Sequence, residues 1–149
     1  MRDYSKMQVI EMLSYMQVNE KNTTKRNNII KLRDIVKRCN IETYKNITNT
    51  KNGINIGNVI EVLVLKYYGL ECETDNVEIK SLVNNRANEL TNASVKNVIF
   101  AVFSSSLSGL YQYNANDILN CGRLGVNDLL KLKGVKVATF SQMIKKINA

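Results

Sequence analysis

The sequence has no histidine among its 149 residues. This absence excludes Ser-His-Asp and Cys-His catalysis, zinc sites built on histidine pairs, and acid–base chemistry by imidazole. Any hydrolytic chemistry in this chain must therefore use carboxylates, lysine, tyrosine or a bound metal ion.

Proline and tryptophan are also absent, and cysteine is rare. Cys39, Cys72 and Cys121 are widely spaced with no CxxC-type pair, so we expect free thiols in a reducing compartment. No apolar run reaches the roughly 18–20 residues that span a bilayer. Residues 1–6 lack the pattern of a signal peptide. We therefore expect a cytoplasmic protein that does not associate with a membrane.

Charge is unevenly distributed along the chain, whose formal net charge is +8. Residues 1–51 carry 11 basic and 5 acidic side chains, residues 52–100 carry 4 and 6, and residues 101–149 carry 6 and 2. The basic ends suit a polyanion and the acidic middle suits a cation. On charge alone, a lysine-rich protein with no such partner explains the pattern equally well.

Apolar periodicity predicts a basic helical extension over residues 1–50 and an α/β core over residues 51–149. Thr23 or Thr24 is the expected cap of the second helix. The predicted elements are helices at 5–18 and 23–38, a polar linker at 40–53, a buried helix at 56–68 ended by Gly69, strands at 70–74, 77–83, 95–103, 110–113 and 135–140, short helices at 116–119 and 126–132, and a terminal helix at 141–147.

The strand around Glu78 is the most informative segment. Glu78 and Lys80 lie two residues apart, so their side chains point to one face, whereas Val77 and Ile79 point to the core. A metal-dependent phosphodiesterase needs such a pair, because carboxylates hold a hard cation and a lysine orients water or steadies phosphate charge. The alternative is a salt-bridged stripe on the protein surface.

A two-residue turn at Asp75 and Asn76 would extend this site. It would place Glu73 opposite Glu78, and two facing carboxylates repel unless a cation lies between them. The register therefore predicts a metal site, provided that the turn is no longer. The hairpin would bring four charged side chains to one face, namely Glu71, Glu73, Glu78 and Lys80.

Glu61 is out of place in the apolar helix at 56–68, since a buried carboxylate is costly unless it is paired or binds a metal. If Glu61 lies on the exposed edge of the helix, it has no role. If it faces the strands, it is a metal ligand or a partner for Lys80.

Together, a helical Glu61, an acid after Gly69 and the strand Glu78-Ile79-Lys80 resemble the PD-(D/E)xK, or restriction-endonuclease-like, nuclease superfamily. The resemblance covers roughly residues 56–140. It implies an αβββαβ core with a central mixed sheet flanked by helices. It also implies that Glu61 holds or tunes the metal, Glu78 binds it, and Lys80 positions the attacking water.

The first acid of this motif is either Asp75 or Glu73. Asp75 is the natural match to the family pattern, but only two residues separate it from Glu78, where the family usually has more. It also has the wrong strand parity, whereas Glu73 satisfies the hairpin register. The expected metal ligands are therefore Glu73, Asp75 and Glu78.

The resemblance implies hydrolysis of DNA with Mg²⁺, for which Mn²⁺ would substitute, although RNA is not excluded. A junction resolvase, a compact restriction-type endonuclease and a phage or mobile-element nuclease all fit, and cutting of both strands favours a homodimer. The alternatives are a non-catalytic nucleic-acid-binding or regulatory protein with a nuclease-like fold, and a phage inhibitor of a host system. The expected nucleic-acid contacts are Lys25, Arg26, Arg33, Arg86, Lys131 and Lys133.

Overall fold

The computed structural model describes residues 1–73, 77–82, 86–87, 97–118 and 124–149. Its helices are α1 (Lys6–Asn19), α2 (Thr23–Arg38), α3 (Ile56–Tyr68), α4 (Ala115–Ile118), α5 (Val126–Lys131) and α6 (Phe140–Ile147). Its strands are β1 (Arg2–Ser5), β2 (Thr43–Ile47), β3 (Asn49–Thr50), β4 (Gly53–Ile54), β5 (Val77–Leu82), β6 (Arg86–Ala87), β7 (Asn97–Phe103), β8 (Ser108–Asn114), β9 (Leu124–Gly125) and β10 (Val135–Ala138).

A mixed four-stranded sheet with the order β10-β8-β7-β5 forms the centre of the fold. β5 and β7 run parallel, whereas β7 pairs with β8, and β8 with β10, in antiparallel fashion. Helices lie on both faces of this sheet, so the α/β class and the helix-flanked mixed sheet are confirmed. In the part of the chain that the structure describes, β5 is an edge strand.

β7 is buried on both faces, as its unbroken apolar sequence predicts. Its odd-numbered apolar residues join a large cluster with α1, α2, α3 and α6. Its even-numbered residues join a second cluster with residues of β8, α4 and α5. The alternating side chains of β7 thus belong to two separate clusters. Those in the first are Ile99, Ala101 and Phe103, and those in the second are Val98, Phe100 and Val102.

The predicted linker at 40–53 is wrong, because residues 43–47 form β2 and pair with β1. Tyr44 and Ile47 of this strand are fully buried. Asn46 between them has a positive φ of 60°, which breaks the two-residue alternation that marks a strand. This irregularity, together with the polar composition, concealed the strand in the sequence.

The helix predictions are confirmed for all three long helices, with local corrections. Asn22, and not Thr23 or Thr24, caps α2, because its side chain accepts the Lys25 N–H at 2.9 Å. On α1, Met7 is 62% exposed, whereas Val9 is buried. α3 has the predicted bounds, and Gly69 ends it in the left-handed region at φ 68°.

The bounds of the remaining predicted helices and strands are confirmed within a few residues, except for the strand at 70–74. Residues 70–73 form no strand, since the Leu70 N–H bonds to the Leu65 carbonyl at 2.9 Å and two bends follow at residues 71 and 72. The proposed turn at Asp75 and Asn76 lies outside the described residues. Across the ranges given above, no helix is both long and apolar enough to cross a lipid bilayer.

Truncation of Leu13 tests whether residues 1–50 share a core with the rest of the chain. Leu13 is 0% exposed in the first cluster, so Leu13→Ala should lower the free energy of unfolding by about 2–5 kcal/mol. Chemical denaturation followed by circular dichroism and tyrosine fluorescence should show one transition. Leu130→Ala is the control, since Leu130 is 51% exposed and its loss should cost less than about 0.5 kcal/mol. Two separate transitions would contradict the shared core.

Candidate metal and phosphodiester site

Glu78 and Lys80 of β5 form an ion pair, with Lys80 Nζ 3.6 Å from Glu78 Oε2. Their side chains are only 21% and 18% exposed, respectively. The shared face predicted from their spacing is confirmed. The pair is not a solvated stripe, because about four-fifths of each side chain is withdrawn from water.

The two residues face away from α3. Ile79 packs against the first cluster, which contains α3, and a Cβ atom added at Gly57 of α3 would lie 3.4 Å from Ser81 Oγ. Ile79 and Ser81 therefore face the helix, so Glu78 and Lys80 face the other side of the sheet. There they lie beside Val98 and Phe100 of β7 in the parallel register.

Glu73 reaches this pair by a route that differs from the predicted hairpin. Its backbone does not pair with Glu78 in a ladder, so the register that placed Glu73 opposite Glu78 and Glu71 opposite Lys80 is wrong. Instead, its side chain lies near the backbone N–H of Ile79, which acts to lower the pKa of the Glu73 carboxyl. The side chain also lies within electrostatic reach of both Glu78 and Lys80.

The surroundings of Glu73 disfavour its negative charge. Burial raises the pKa of its carboxyl above the ordinary value, and the negative charge of Glu61 raises it further. The Ile79 N–H and the Lys80 ammonium lower the pKa of Glu73, whereas the negative charge of Glu78 raises it. A cation among these oxygens would reverse the balance, because it favours the ionised form.

Glu61 joins the cluster from the helix side. Its pKa is raised by burial, and it is close enough to Glu73 for their charges to interact. Glu61 also lines a cleft of about 450 Å³ between α3 and the segment that leads into β2. Glu61 is thus half-buried with Glu73 as a neighbour, and its role as a metal ligand stays a prediction.

The donor chemistry of the cluster fits a hard cation. Glu78 Oε2 is buried and has no hydrogen-bond partner among the described residues, with the Lys80 ammonium at 3.6 Å. Mg²⁺ is commonly bound through one or two carboxylates and completed by water and phosphate. Glu73 and Glu78 would be the two carboxylates of such a site. Within the described ranges, no group of three or more Asp, Glu, Cys or His side chains is arranged to hold a metal ion, and Asp75 lies outside them.

Three of the basic residues expected at the nucleic acid are engaged within the α1–α2 hairpin. Lys25 lies 3.4 Å from a carboxylate oxygen of Glu20, and Arg26 donates two hydrogen bonds to the Glu20 carbonyl at 2.8 and 2.6 Å. Arg33 donates to Ser14 Oγ at 3.3 Å. These contacts hold the two helices together.

The other three basic residues lie in the C-terminal half of the chain. Lys131 ends α5 and Lys133 follows it, and both are exposed. Arg86 lies in β6, which pairs with β9, and its side chain is outside what the structure describes. None of these residues is placed at the carboxylate cluster by a described contact.

Sequence reasoning missed Lys45 and Lys66, which line the cleft together with Glu61. Lys45 lay in the supposed linker, and Lys66 follows Glu61 by five residues in α3. Their proximity depends on the packing of β2 against α3, which no local pattern announces.

Comparison of this chain with models of known protein families, with curated proteins and with solved structures found no match. The assignment of a function therefore depends on the chemistry of the cluster and on its position in the fold.

The pH dependence of stability tests the Glu73 environment. Because its folded pKa is raised, the unfolded carboxyl ionises near pH 4.5 while the folded one keeps its proton, so stability falls as pH rises through the raised value. Glu73→Gln has nearly the same shape as the parent side chain but cannot ionise. Its melting temperature relative to the parent protein should increase between about pH 4 and pH 8.

Glu11→Gln serves as the control for this experiment, since it removes the same charge from an exposed position on α1. We expect no comparable trend for this variant. If the difference between Glu73→Gln and the parent stays constant across the pH range, Glu73 does not lie in the desolvated cluster.

Proposed function

We propose that this protein is a metal-dependent nuclease that hydrolyses phosphodiester bonds of DNA. The observation that carries the proposal is the cluster of Glu73, Glu78 and Lys80 at the open edge of β5. Two carboxylates and an ammonium are held there largely out of water, at a cost that is visible in the raised pKa of Glu73. Charged groups held in this way are typical of catalytic sites.

The order of elements supports the same proposal. From α3 to β10 the main sheet and its helices follow the sequence helix, three strands, helices, strand, if the two-residue strands β6 and β9 are set aside. This order is compatible with the αβββαβ core that the resemblance to the PD-(D/E)xK nucleases implies. We therefore include a restriction-endonuclease-like core in the proposal.

Each residue of the cluster has a distinct role in the proposed reaction. Glu73 and Glu78 would hold Mg²⁺, or Mn²⁺ in its place, and the bound ion would supply positive charge to the phosphate as negative charge develops on it. Lys80, held by Glu78, presents its ammonium to a phosphate oxygen or to the attacking water.

Glu61 acts through Glu73. Its negative charge raises the pKa of Glu73 and so makes the ionised Glu73 more dependent on a nearby cation. Asp75, if it reaches the cluster, would add a third carboxylate. A nuclease of this size that cuts both strands of a duplex needs two such sites, so the proposal includes a homodimer.

A non-catalytic nucleic-acid-binding or regulatory protein with the same fold is the second candidate. The observation in its favour is that the described acidic residues form no three-member metal group. In that case the Glu78–Lys80 pair stabilises β5 and the Glu73 side chain protects its open edge from pairing with another chain.

Loss of Lys80 distinguishes the two candidates. We expect the parent protein to cut supercoiled plasmid, linear duplex or a four-way junction in Mg²⁺ or Mn²⁺ and not in EDTA. Lys80→Ala should reduce the rate by about 100-fold or more, because it removes the group that positions water or phosphate. Binding of DNA, measured in EDTA, should be largely retained.

Two matched controls accompany this measurement. Lys51→Ala removes a lysine from the exposed turn between β3 and β4, and Glu71→Gln removes an exposed carboxylate near the cluster. Both should cut at nearly the parent rate. Binding without metal-dependent cutting would contradict the nuclease and favour the binding protein.

A further inference from the structure

Basic residues occupy the last turns of three helices that meet at one corner of the protein. α2 ends in two of them, α3 has one in its last turn, and α6 has two. We call this surface the basic corner, and its residues are Lys37, Arg38, Lys66, Lys145 and Lys146.

Two sets of contacts bring these helix ends together. Asn148, which caps α6, donates to the Arg38 carbonyl at 2.8 Å and accepts from the Asn40 N–H at 2.7 Å. Lys146 Nζ lies 4.3 Å from the centre of the Tyr67 ring, next to Lys66 in α3. The ends of α2 and α3 are therefore both joined to the end of α6.

The basic side chains at this corner are exposed, while the acidic residues Glu42, Glu61 and Glu71 line the adjoining cleft. All five basic residues are exposed, and α6 contains no acidic residue. Asp34 lies 3.6 Å from Arg38, but both side chains are more than half exposed, so this pair is weak. Basic residues often compensate the negative end of a helix dipole, but that interaction is modest and leaves most of the positive charge available to a partner.

The basic corner adjoins the cleft that is lined by Glu61. Lys66 belongs to the corner and also lines this cleft, whose other lining residues include Asn40. A polyanion lying on the corner would therefore meet the opening of the cleft, on whose wall Glu61 stands next to Glu73.

We propose that the basic corner is the surface that binds the phosphate backbone of the nucleic acid and brings it to the cleft at Lys66. The proposal rests on nucleic acid being the substrate class of the proposed function, but it does not require cleavage. It differs from the sequence-based expectation, because Lys25, Arg26 and Arg33 have partners within the α1–α2 hairpin.

Two triple variants with equal loss of charge test this surface. The corner variant is Lys37→Gln, Lys145→Gln and Lys146→Gln. The control variant is Lys21→Gln, Lys51→Gln and Lys136→Gln, all at exposed positions outside the corner. The two sets also match in packing, since Lys146 lies over Tyr67 and Lys136 over Tyr111.

Binding of a fluorescein-labelled DNA duplex is measured by anisotropy in EDTA over a range of salt concentrations. The corner variant should bind at least about tenfold more weakly than the parent at about 0.1 M salt. The magnitude of the negative slope of log affinity against log salt should fall by about 2–3, since each phosphate contact contributes about 0.9 to it. The control variant should retain the parent affinity and slope.

Three results would overturn the proposal: equal losses in both variants, a loss confined to the control, or no DNA binding by the parent protein. Binding by the corner without any cleavage would leave this proposal standing and contradict only the nuclease. Because Lys146→Gln removes a packing contact, the double variant Lys37→Gln, Lys145→Gln is measured as well. It should lose affinity while it keeps the parent melting temperature.

Cys72 provides an independent probe of the approach to the cleft. It is exposed and lines the cleft, whereas Cys39 is buried and burial raises its pKa to about 11. In a Cys121→Ser background, bound DNA should slow the reaction of Cys72 with a thiol reagent at least about tenfold, in line with the expected affinity. DNA that binds to the protein without protecting Cys72 would contradict the proposed approach to the cleft.

Discussion

Burial of β7 on both faces is the constraint on which the rest of the structure depends. Its alternating side chains belong to two separate cores, so each neighbouring strand must match both of them. β5 runs parallel to β7 and inherits this alternation, with Ile79 on the side of α3 and Glu78 and Lys80 on the other. The position of the charged pair is therefore a consequence of how the sheet is packed.

Charged side chains from the two faces of the sheet come close together at the open edge of β5. Glu73 lies near the Ile79 N–H and is close enough to interact electrostatically with Glu61 on the helix side and with Glu78 on the other side. The arrangement costs stability as long as no cation is present, since burial and neighbouring negative charge both oppose ionisation. The proposed divalent ion would remove this cost, because it favours the ionised carboxylates.

Much of the secondary structure could be predicted from the sequence because its local signals agree. Helix α3 shows this best, since its apolar run, the polar cap at Asn55 and the left-handed Gly69 all mark the same bounds. β2 could not be predicted, because Asn46 interrupts its alternation and its burial depends on distant parts of the chain. Local pattern succeeds where one element carries its own boundaries, and fails where tertiary packing defines them.

The candidate site shows the same division. The spacing of Glu78 and Lys80 was sufficient to predict their pairing, because strand geometry alone determines it. The placement of Glu73 was predicted for the wrong reason, since its side chain and not its backbone meets β5. The basic corner could not be found from the sequence, because its residues come from the ends of three helices between positions 37 and 146.

The most direct test of the central claim is the binding of Mn²⁺ to the apo protein, followed by electron paramagnetic resonance without any nucleic acid. We predict saturable binding of one or two ions per chain, in keeping with the ligand count of such sites. Binding should be lost when Glu73 and Glu78 are both replaced by glutamine, and retained when Glu11 and Glu42 are replaced instead. Equal binding by both double variants, or none by the parent protein, would contradict the claim that this cluster is a metal site.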